Sequence, residues 1–212
     1  MAGKSNHAAR DRARSGPRSP FVLDIARLGR RPGSMVTVEE TVPAPFRIGV
    51  ELVAIPEGAP VDLDLRLESV SEGVLVSGTV YAPTTGECAR CLMPVTGDVE
   101  IYLTELFAYP DSTTEATTDE EEIGRVVSDS SGDTVDLDQP IIDAVGMELP
   151  FSPLCRDDCP GLCPECGVPL ADFDGSNGTD PVPHVHDVID PRWAKLAAMT
   201  AEEEPPAPGG RE

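Results

Sequence analysis

Residues 61–68 alternate strictly between apolar and charged side chains, and this period of two constrains the fold more than any other feature. The apolar members are Val61, Leu63, Leu65 and Leu67. Because consecutive side chains of a strand point to opposite faces, the pattern predicts one buried and one solvated face. A second alternating run at 74–80 follows the turn at Glu72-Gly73, and a third spans 95–103. The three runs predict an antiparallel sheet that contains a hairpin.

The sequence as a whole predicts an α+β protein, mainly antiparallel β-sheet with few short helices and a C-terminal Cys-rich, zinc-knuckle-like segment. Residues 21–108 form the β-rich part. Residues 139–199 add a helix over 139–148 with Asp138 as its N-cap, a Cys/His segment, and a second helix that begins near Asp190. We expect both parts to belong to one domain.

The charge of the chain is large and unevenly distributed. With 38 acidic and 16 basic residues among 212, the formal net charge is −22, which repels RNA phosphates and anionic membranes. Residues 1–20, however, are rich in arginine, serine and glycine and predict a disordered basic arm. The candidate RNA-contacting residues are Arg10, Arg12, Arg14, Arg18, Arg30 and Arg31.

Two other segments lack the composition of a folded core. Residues 109–138 hold ten acidic residues and one basic residue, and predict a flexible acidic insertion, either a solubilising loop or a surface for a basic partner. Residues 200–212 are rich in Glu, Pro and Gly and predict a disordered tail.

The six cysteines are spaced like metal ligands. No stretch is apolar for long enough to form a membrane helix or a signal peptide, so we expect a cytoplasmic protein in which thiols stay reduced. The cysteines occur as Cys88-x2-Cys91 and as a run of four, and a His-x-His pair follows them. The run and the pair are Cys155, Cys159, Cys163, Cys166, His184 and His186.

The four pairs of candidate ligands can be combined in more than one way, and one or two structural zinc ions are expected. The most compact site joins Cys155, Cys159, Cys163 and Cys166. A second arrangement joins Cys163 and Cys166 to the histidines and leaves the remaining thiols, among them Cys88 and Cys91, to pair elsewhere. Arg90 and Arg156 lie beside thiolates in the sequence and could offset their charge.

We expect no catalysis and no small-molecule substrate. A phosphate-binding glycine loop, a nucleophile elbow and an HExxH motif are all absent from the sequence. A redox role for Cys163-x2-Cys166 is conceivable. The prolines at 150, 153, 160 and 164 indicate a loop, however, rather than the helix that a thioredoxin-like motif opens.

Three motifs, in this order, resemble the YceD family of large ribosomal RNA subunit accumulation proteins. They are Glu87-Cys-Ala-Arg-Cys-Leu92, Cys159-Pro-Gly-Leu-Cys-Pro-Glu-Cys-Gly167 and Asp190-Pro-Arg-Trp-Ala-Lys-Leu196. The resemblance spans about 21–199. Many relatives carry Cys-x-Cys where this chain has His184-Val185-His186, a swap that preserves ligands, and some lack the Gly-Leu-Cys segment.

The resemblance implies a role in synthesis, processing or stability of large-subunit (23S) ribosomal RNA, by binding rather than by chemistry. Two kinds of partner follow from it. The basic arm could contact a ribosomal RNA precursor, or the acidic body could act as an adaptor for a basic ribosomal protein or assembly factor. A thiol redox protein is the third alternative. No membrane partner is expected.

Overall fold

The computed structural model describes residues 18–110, 112–114, 123–130, 132–173 and 182–186. The chain forms two compact units, Met1–Asp158 and Cys159–Glu212, whereas the sequence predicts one domain over 21–108 and 139–199. Within the second unit the Leu170 amide donates to the Gly161 carbonyl at 2.9 Å.

Ten strands and one complete α-helix lie within the described part of the first unit. The strands are β1 (Val22–Asp24), β2 (Met35–Pro43), β3 (Ile48–Gly49), β4 (Val53–Ile55), β5 (Pro60–Ser69), β6 (Gly73–Glu87), β7 (Pro94–Ala108), β8 (Gly124–Arg125), β9 (Val127–Asp129) and β10 (Gly132–Asp136). The helix, α1, is Asp138–Glu148. The second unit has a 3-10 turn at Leu170–Asp172. None of the described helices has the length and apolar character needed to span a bilayer.

The strands form a seven-stranded and a three-stranded sheet. In the larger sheet the order is β2-β5-β6-β4-β3, and β7 pairs with the other edge of β6. Every pairing is antiparallel except the short one between β7 and β8. The smaller sheet has the order β1-β10-β9. The predicted antiparallel sheet is therefore confirmed, and β5 and β6 form the predicted hairpin.

The alternation along β5 separates the core from the solvent. Its four apolar side chains are at most 2% exposed, whereas Asp62, Asp64 and Arg66 between them are exposed. Burial of each such side chain contributes roughly 1.5–3 kcal/mol to folding. The same core includes Phe107 of β7 and Ile141 of α1, so the helix covers the apolar side of the sheet.

The prediction of a flexible insertion over 109–138 is wrong for residues 124–136, which form β8, β9 and β10. Composition misleads here because it counts the acids and overlooks the alternating apolar residues. Val126 and Val135 are buried at 4% and 0% exposure. Asp133 accepts hydrogen bonds from Arg30, 103 residues earlier in the chain. That partner lowers the pKa of Asp133 and offsets its charge.

The predicted helix over 139–148 is confirmed, but its predicted N-cap is wrong. The helix begins at Asp138, and Leu137 occupies the N-cap position without a side-chain capping bond. The carboxylate of Asp136 instead accepts the Asp138 amide at 3.0 Å, while Asp138 accepts the Ser19 hydroxyl at 2.5 Å. The second predicted helix near Asp190, the tail at 200–212 and residues 1–17 of the arm lie outside the described residues.

Candidate metal centres

The loop between β6 and β7 contains the first cysteine turn, residues 88–93. Two backbone hydrogen bonds close it: the Leu92 amide donates to the Cys88 carbonyl at 2.9 Å, and the Cys88 amide donates to the Met93 carbonyl at 2.8 Å. The Ala89 amide also donates to Pro153, at 2.8 Å. This last bond brings the segment that carries Cys155 beside the turn.

The second cysteine turn, residues 163–168, has the same two bonds. The Gly167 amide donates to the Cys163 carbonyl at 2.9 Å, and the Cys163 amide donates to the Val168 carbonyl at 2.8 Å. In both turns the residue after the second cysteine has a positive φ, +73° at Gly167 and +60° at Leu92. This conformation suits glycine and costs other residues about 1–2 kcal/mol. Because Leu92 stands where the second turn has Gly167, the sequence alone does not show that the two turns are similar.

Four cysteines come together at the first turn, and we call them the all-cysteine group. They are Cys88, Cys91, Cys155 and Cys159, and their sulfur atoms lie within 4.8 Å of one another. The Sγ atoms of Cys91 and Cys155 are 3.6 Å apart. A tetrahedral ion with sulfur ligands at about 2.3 Å spaces those sulfurs about 3.8 Å apart, so the group could hold one metal ion.

Two cysteines and two histidines come together at the second turn, and we call them the mixed group. Cys163 Sγ lies 3.3 Å from His186 Nε2, and Cys166 Sγ lies 3.3 Å from His184 Nε2. The two Nε2 atoms are 2.7 Å apart. A single proton could satisfy only one of these contacts, whereas a cation between the four atoms satisfies all of them. The mixed group therefore could also hold a metal ion.

The backbone of each turn is suited to holding a thiolate. Burial raises the pKa of Cys88, but the backbone N–H groups of Cys155, Cys91 and Arg90 outweigh burial, and the pKa falls to about 6. At the second turn the N–H groups of Cys166 and Glu165 lower the pKa of Cys163 to about 6. Because the thiolate is the form that binds metal, both turns favour the ligating state.

An aromatic contact positions one of the histidines. The Phe173 ring stacks on the His184 ring with centroids 4.5 Å apart and planes tilted by 35°. The Val182 amide donates to the Phe173 carbonyl at 3.0 Å. This bond anchors the segment that leads to both histidines. The His184 ring in turn meets His186 edge to face at 4.5 Å.

Replacing Phe173 by alanine is expected to weaken metal binding at the mixed group by about tenfold. Contacts that orient a ligand without touching the metal have effects of roughly 10–100-fold. A competition titration with a chromophoric chelator measures the metal affinity of the wild type and that of the variant. Leu170→Ala, a truncation in the adjacent 3-10 turn, serves as the control. Equal affinities for Phe173→Ala and the wild type would contradict a positioning role.

The structure does not group the candidate ligands as the most compact predicted site does, in which the four cysteines of 155–166 share one ion. Cys155 and Cys159 join Cys88 and Cys91, while Cys163 and Cys166 join the histidines. This is the second of the two arrangements that the sequence permits. No disulfide links any of the six cysteines, all of which lie in described ranges. Arg156 forms an ion pair with Asp158 at 3.2 Å.

Two of the candidate RNA-contacting arginines have partners within the fold. Arg18 pairs with Asp129 at 3.1 Å, and Arg30 pairs with Asp133 at 3.1 Å. The Arg30 guanidinium also lies 5.0 Å from the centre of the Tyr109 ring. Arg31 is exposed, and Arg10, Arg12 and Arg14 lie outside the described residues.

Comparison with known proteins identifies the family of this chain. The profile of the large ribosomal RNA subunit accumulation protein YceD matches residues 76–200, more than half of the chain. The chain belongs to the YceD family. The region that matches the YceD profile begins within β6 and includes all eight ligands of the all-cysteine and mixed groups. Asp62 and Asp64 of β5 lie before it.

Mycobacterial relatives cover most of this YceD-family chain. An uncharacterized protein of Mycobacterium tuberculosis (strain ATCC 25618 / H37Rv) is 65% identical over 185 residues, 87% of this chain and 84% of that protein. An uncharacterized protein of Mycobacterium leprae is 56% identical over 187 residues, 88% of this chain and 81% of that protein. No solved structure matches the chain.

Proposed function

We propose that this protein is a non-catalytic cytoplasmic factor that supports the synthesis, processing or stability of large-subunit (23S) ribosomal RNA. Membership of the YceD family is the observation that carries the proposal. The two groups of candidate ligands support it indirectly. In each group four ligand atoms converge on one another, as in structural metal sites that keep no open position for chemistry.

The proposed cofactor is zinc, one ion in each group. Four thiolates, or two thiolates with two imidazoles, are the ligand sets of structural zinc sites. Bound zinc would hold each turn against its neighbouring segment and supply folding free energy. The same observations weigh against a thiol redox role. The two thiols with lowered pKa, Cys88 and Cys163, are only 0% and 6% exposed, whereas a reactive thiolate has to be accessible. Of the candidate redox pair, only Cys166 is exposed.

The proposed RNA contact is the basic arm. Because Arg18 and Arg30 already bind aspartates of the fold, the proposal assigns most of the phosphate contacts to residues 1–17. Removing residues 1–17 is expected to lower the affinity for a 23S RNA fragment and to flatten the dependence of log K on log salt by roughly 0.7–0.9 per lost contact. Filter binding at several salt concentrations measures both quantities. An unchanged slope would assign RNA binding elsewhere.

Depletion of the protein in cells tests the function itself. We expect the ratio of 23S to 16S RNA to fall, and precursors of 23S RNA to accumulate if processing is the affected step. Expression of the wild-type chain should restore the ratio, and electrophoresis of total RNA measures it. A normal ratio in fully depleted cells would contradict the proposal.

An adaptor for a basic ribosomal protein or assembly factor is the second candidate function. One specific observation favours it: Asp62 and Asp64 of β5 are exposed on the solvated side of the sheet. Crosslinking in cells distinguishes the candidates: RNA crosslinks at the arm support direct contact with RNA, and protein crosslinks at the sheet support the adaptor.

A further inference from the structure

The solvated side of β2, β5, β6 and β7 forms one continuous surface, which we call the acidic face. The strand register sets its rows. Thr41, Asp62, Tyr81 and Glu100 lie in one row across the four strands, and Glu39, Asp64, Thr79 and Tyr102 lie in the next. Glu68 and Asp98 extend the face at its two ends. Its six carboxylates are Glu39, Asp62, Asp64, Glu68, Asp98 and Glu100.

Two tyrosines lie within this carboxylate surface. Tyr81 is 41% exposed and Tyr102 is 70% exposed, although both are on strands whose opposite faces are buried. Tyr81 lies opposite Glu100, and Tyr102 lies opposite Thr79, so the two rings are diagonal neighbours within reach of one another. A side chain bound between them would contact two aromatic faces at once.

Carboxylates surround Tyr81 closely enough to affect it. The Tyr81 hydroxyl bonds to Asp98, and this bond, with the charges of Asp98, Asp62 and Glu100, raises the pKa of Tyr81. Asp62 also accepts the Thr41 hydroxyl at 2.6 Å. Within the described part of the chain, the face has one guanidinium, Arg66, which pairs with Glu68 at 3.1 Å. The remaining carboxylates give the surface a strong negative potential.

The charge of the face selects among possible ligands. An open sheet with exposed aromatic residues can stack nucleic acid bases, but the phosphates would lie against the carboxylates and be repelled. A guanidinium or ammonium group, in contrast, gains from both components, because it pairs with carboxylates and is attracted to the face of a tyrosine ring. The combination therefore favours a cationic polypeptide.

We propose that the acidic face binds an arginine- and lysine-rich segment of a protein partner, with cationic side chains over Tyr81 and Tyr102 and in ion pairs with the carboxylates around them. The assignment rests on the adaptor, the second candidate under the proposed function, and deepens it, because it gives the chemistry of the protein partner and the surface of this chain that would receive it. It makes no use of the basic arm or of the metal ligands.

A cationic peptide tests the face directly. The probe is a fluorescent twelve-residue peptide of alternating arginine and glycine, and anisotropy with the full-length chain in about 150 mM salt gives its Kd. The first variant is Asp62→Asn/Asp64→Asn. The matched control is Glu51→Gln/Glu57→Gln, which removes the same charge from exposed loop residues outside the face. We expect about tenfold weaker binding for the first variant and less than twofold for the control.

The tyrosines supply a second readout that long-range charge does not affect. Tyr81→Thr/Tyr102→Thr keeps the net charge and a residue suited to a strand, and we expect it to weaken binding by about five- to tenfold. Because both side chains are exposed, the fold should be retained, which circular dichroism checks. A fluorescent twelve-nucleotide RNA measured in parallel should bind no more weakly to either face variant than to the wild-type chain.

Several results would overturn the proposal. They are failure of the wild-type chain to bind the peptide, equal weakening by the face variant and the charge-matched control, no effect of the tyrosine variant, or RNA binding that is weakened in the face variants. Self-association lost in the face variants would assign the surface to a second copy of the chain instead. Failure here is distinct from failure of the proposed function, which is judged by 23S RNA levels in cells.

Discussion

Replacing Cys88 by serine is expected to remove one of two metal ions and to destabilise the first unit by several kcal/mol. Cys88 is 0% exposed and is held in the turn by two backbone bonds. A serine hydroxyl in its place is a much poorer ligand than a thiolate, so the remaining three cysteines would bind metal weakly. A site filled at about a thousand times its Kd contributes about 4 kcal/mol to stability. A loss of about that size is the expected result.

Metal analysis and thermal unfolding together check this prediction. The wild-type chain, purified with a reductant and without chelators, should contain two zinc ions, and Cys88→Ser should contain one. His184→Ala is the matched control, because it should also lose one ion while the unfolding of the sheet stays unchanged. If Cys88→Ser does not fold, adding a chelator to His184→Ala, which should keep only the ion of the all-cysteine group, provides the same comparison. A wild-type protein without metal would contradict the prediction outright.

Replacing Gly78 by alanine is expected to destabilise the sheet by about 3–5 kcal/mol. Gly78 lies in the centre of β6 opposite Leu65, and its φ is +149°. A Cβ atom there would lie 2.8 Å from the Leu65 Cα and closer still to the Asp64 carbonyl oxygen. Because both obstacles are backbone atoms of the neighbouring strand, no side chain can move aside to relieve the clash.

Gly146→Ala is the matched control for this substitution. Gly146 lies inside α1, and a Cβ atom there would meet nothing within 4 Å. Alanine has the higher helix propensity, so this variant should be more stable by about 0.5–1 kcal/mol. Denaturant titration of both variants gives the two free energies. A Gly78→Ala variant as stable as the wild type would show that β5 and β6 are not packed as the structure has them.

The acidic segment shows why composition alone failed. Over 109–138 the excess of carboxylates predicts a solvated loop, and a partner for Asp133 is not apparent because Arg30 lies 103 residues away. The strand at 132–136 forms by pairing with β1. Only the folded chain brings these residues together, so composition could not reveal the partner that the strand pairs with.

The metal centres show a different limit. Residue type and spacing identified all eight candidate ligands, because Cys-x2-Cys pairs are suited to one tetrahedral ion. Spacing did not reveal which pairs share an ion. Cys155 and Cys159 are closer in sequence to Cys163 than to Cys91, yet the bond between Ala89 and Pro153 places Cys155 at the first turn.

The sequence shows the two tyrosines of the acidic face but does not show that they are neighbours. Tyr81 and Tyr102 occur on the solvated parity of two strands, where a large aromatic residue is unusual. Their position as diagonal neighbours depends on the register between β6 and β7. The sequence gives each strand its exposed residues, and the register decides which of them share a binding surface.

The sequence by itself determined the antiparallel sheet, the buried parity of β5, the helix at 139–148 and the identity of the candidate ligands. All of these follow from patterns within a few residues, where periodicity and spacing act directly. Only the tertiary structure decided which candidate ligands come together, that β8, β9 and β10 form, and which exposed residues share the acidic face. Each of those depends on contacts between residues far apart in the chain, and such contacts exist only after the chain has folded.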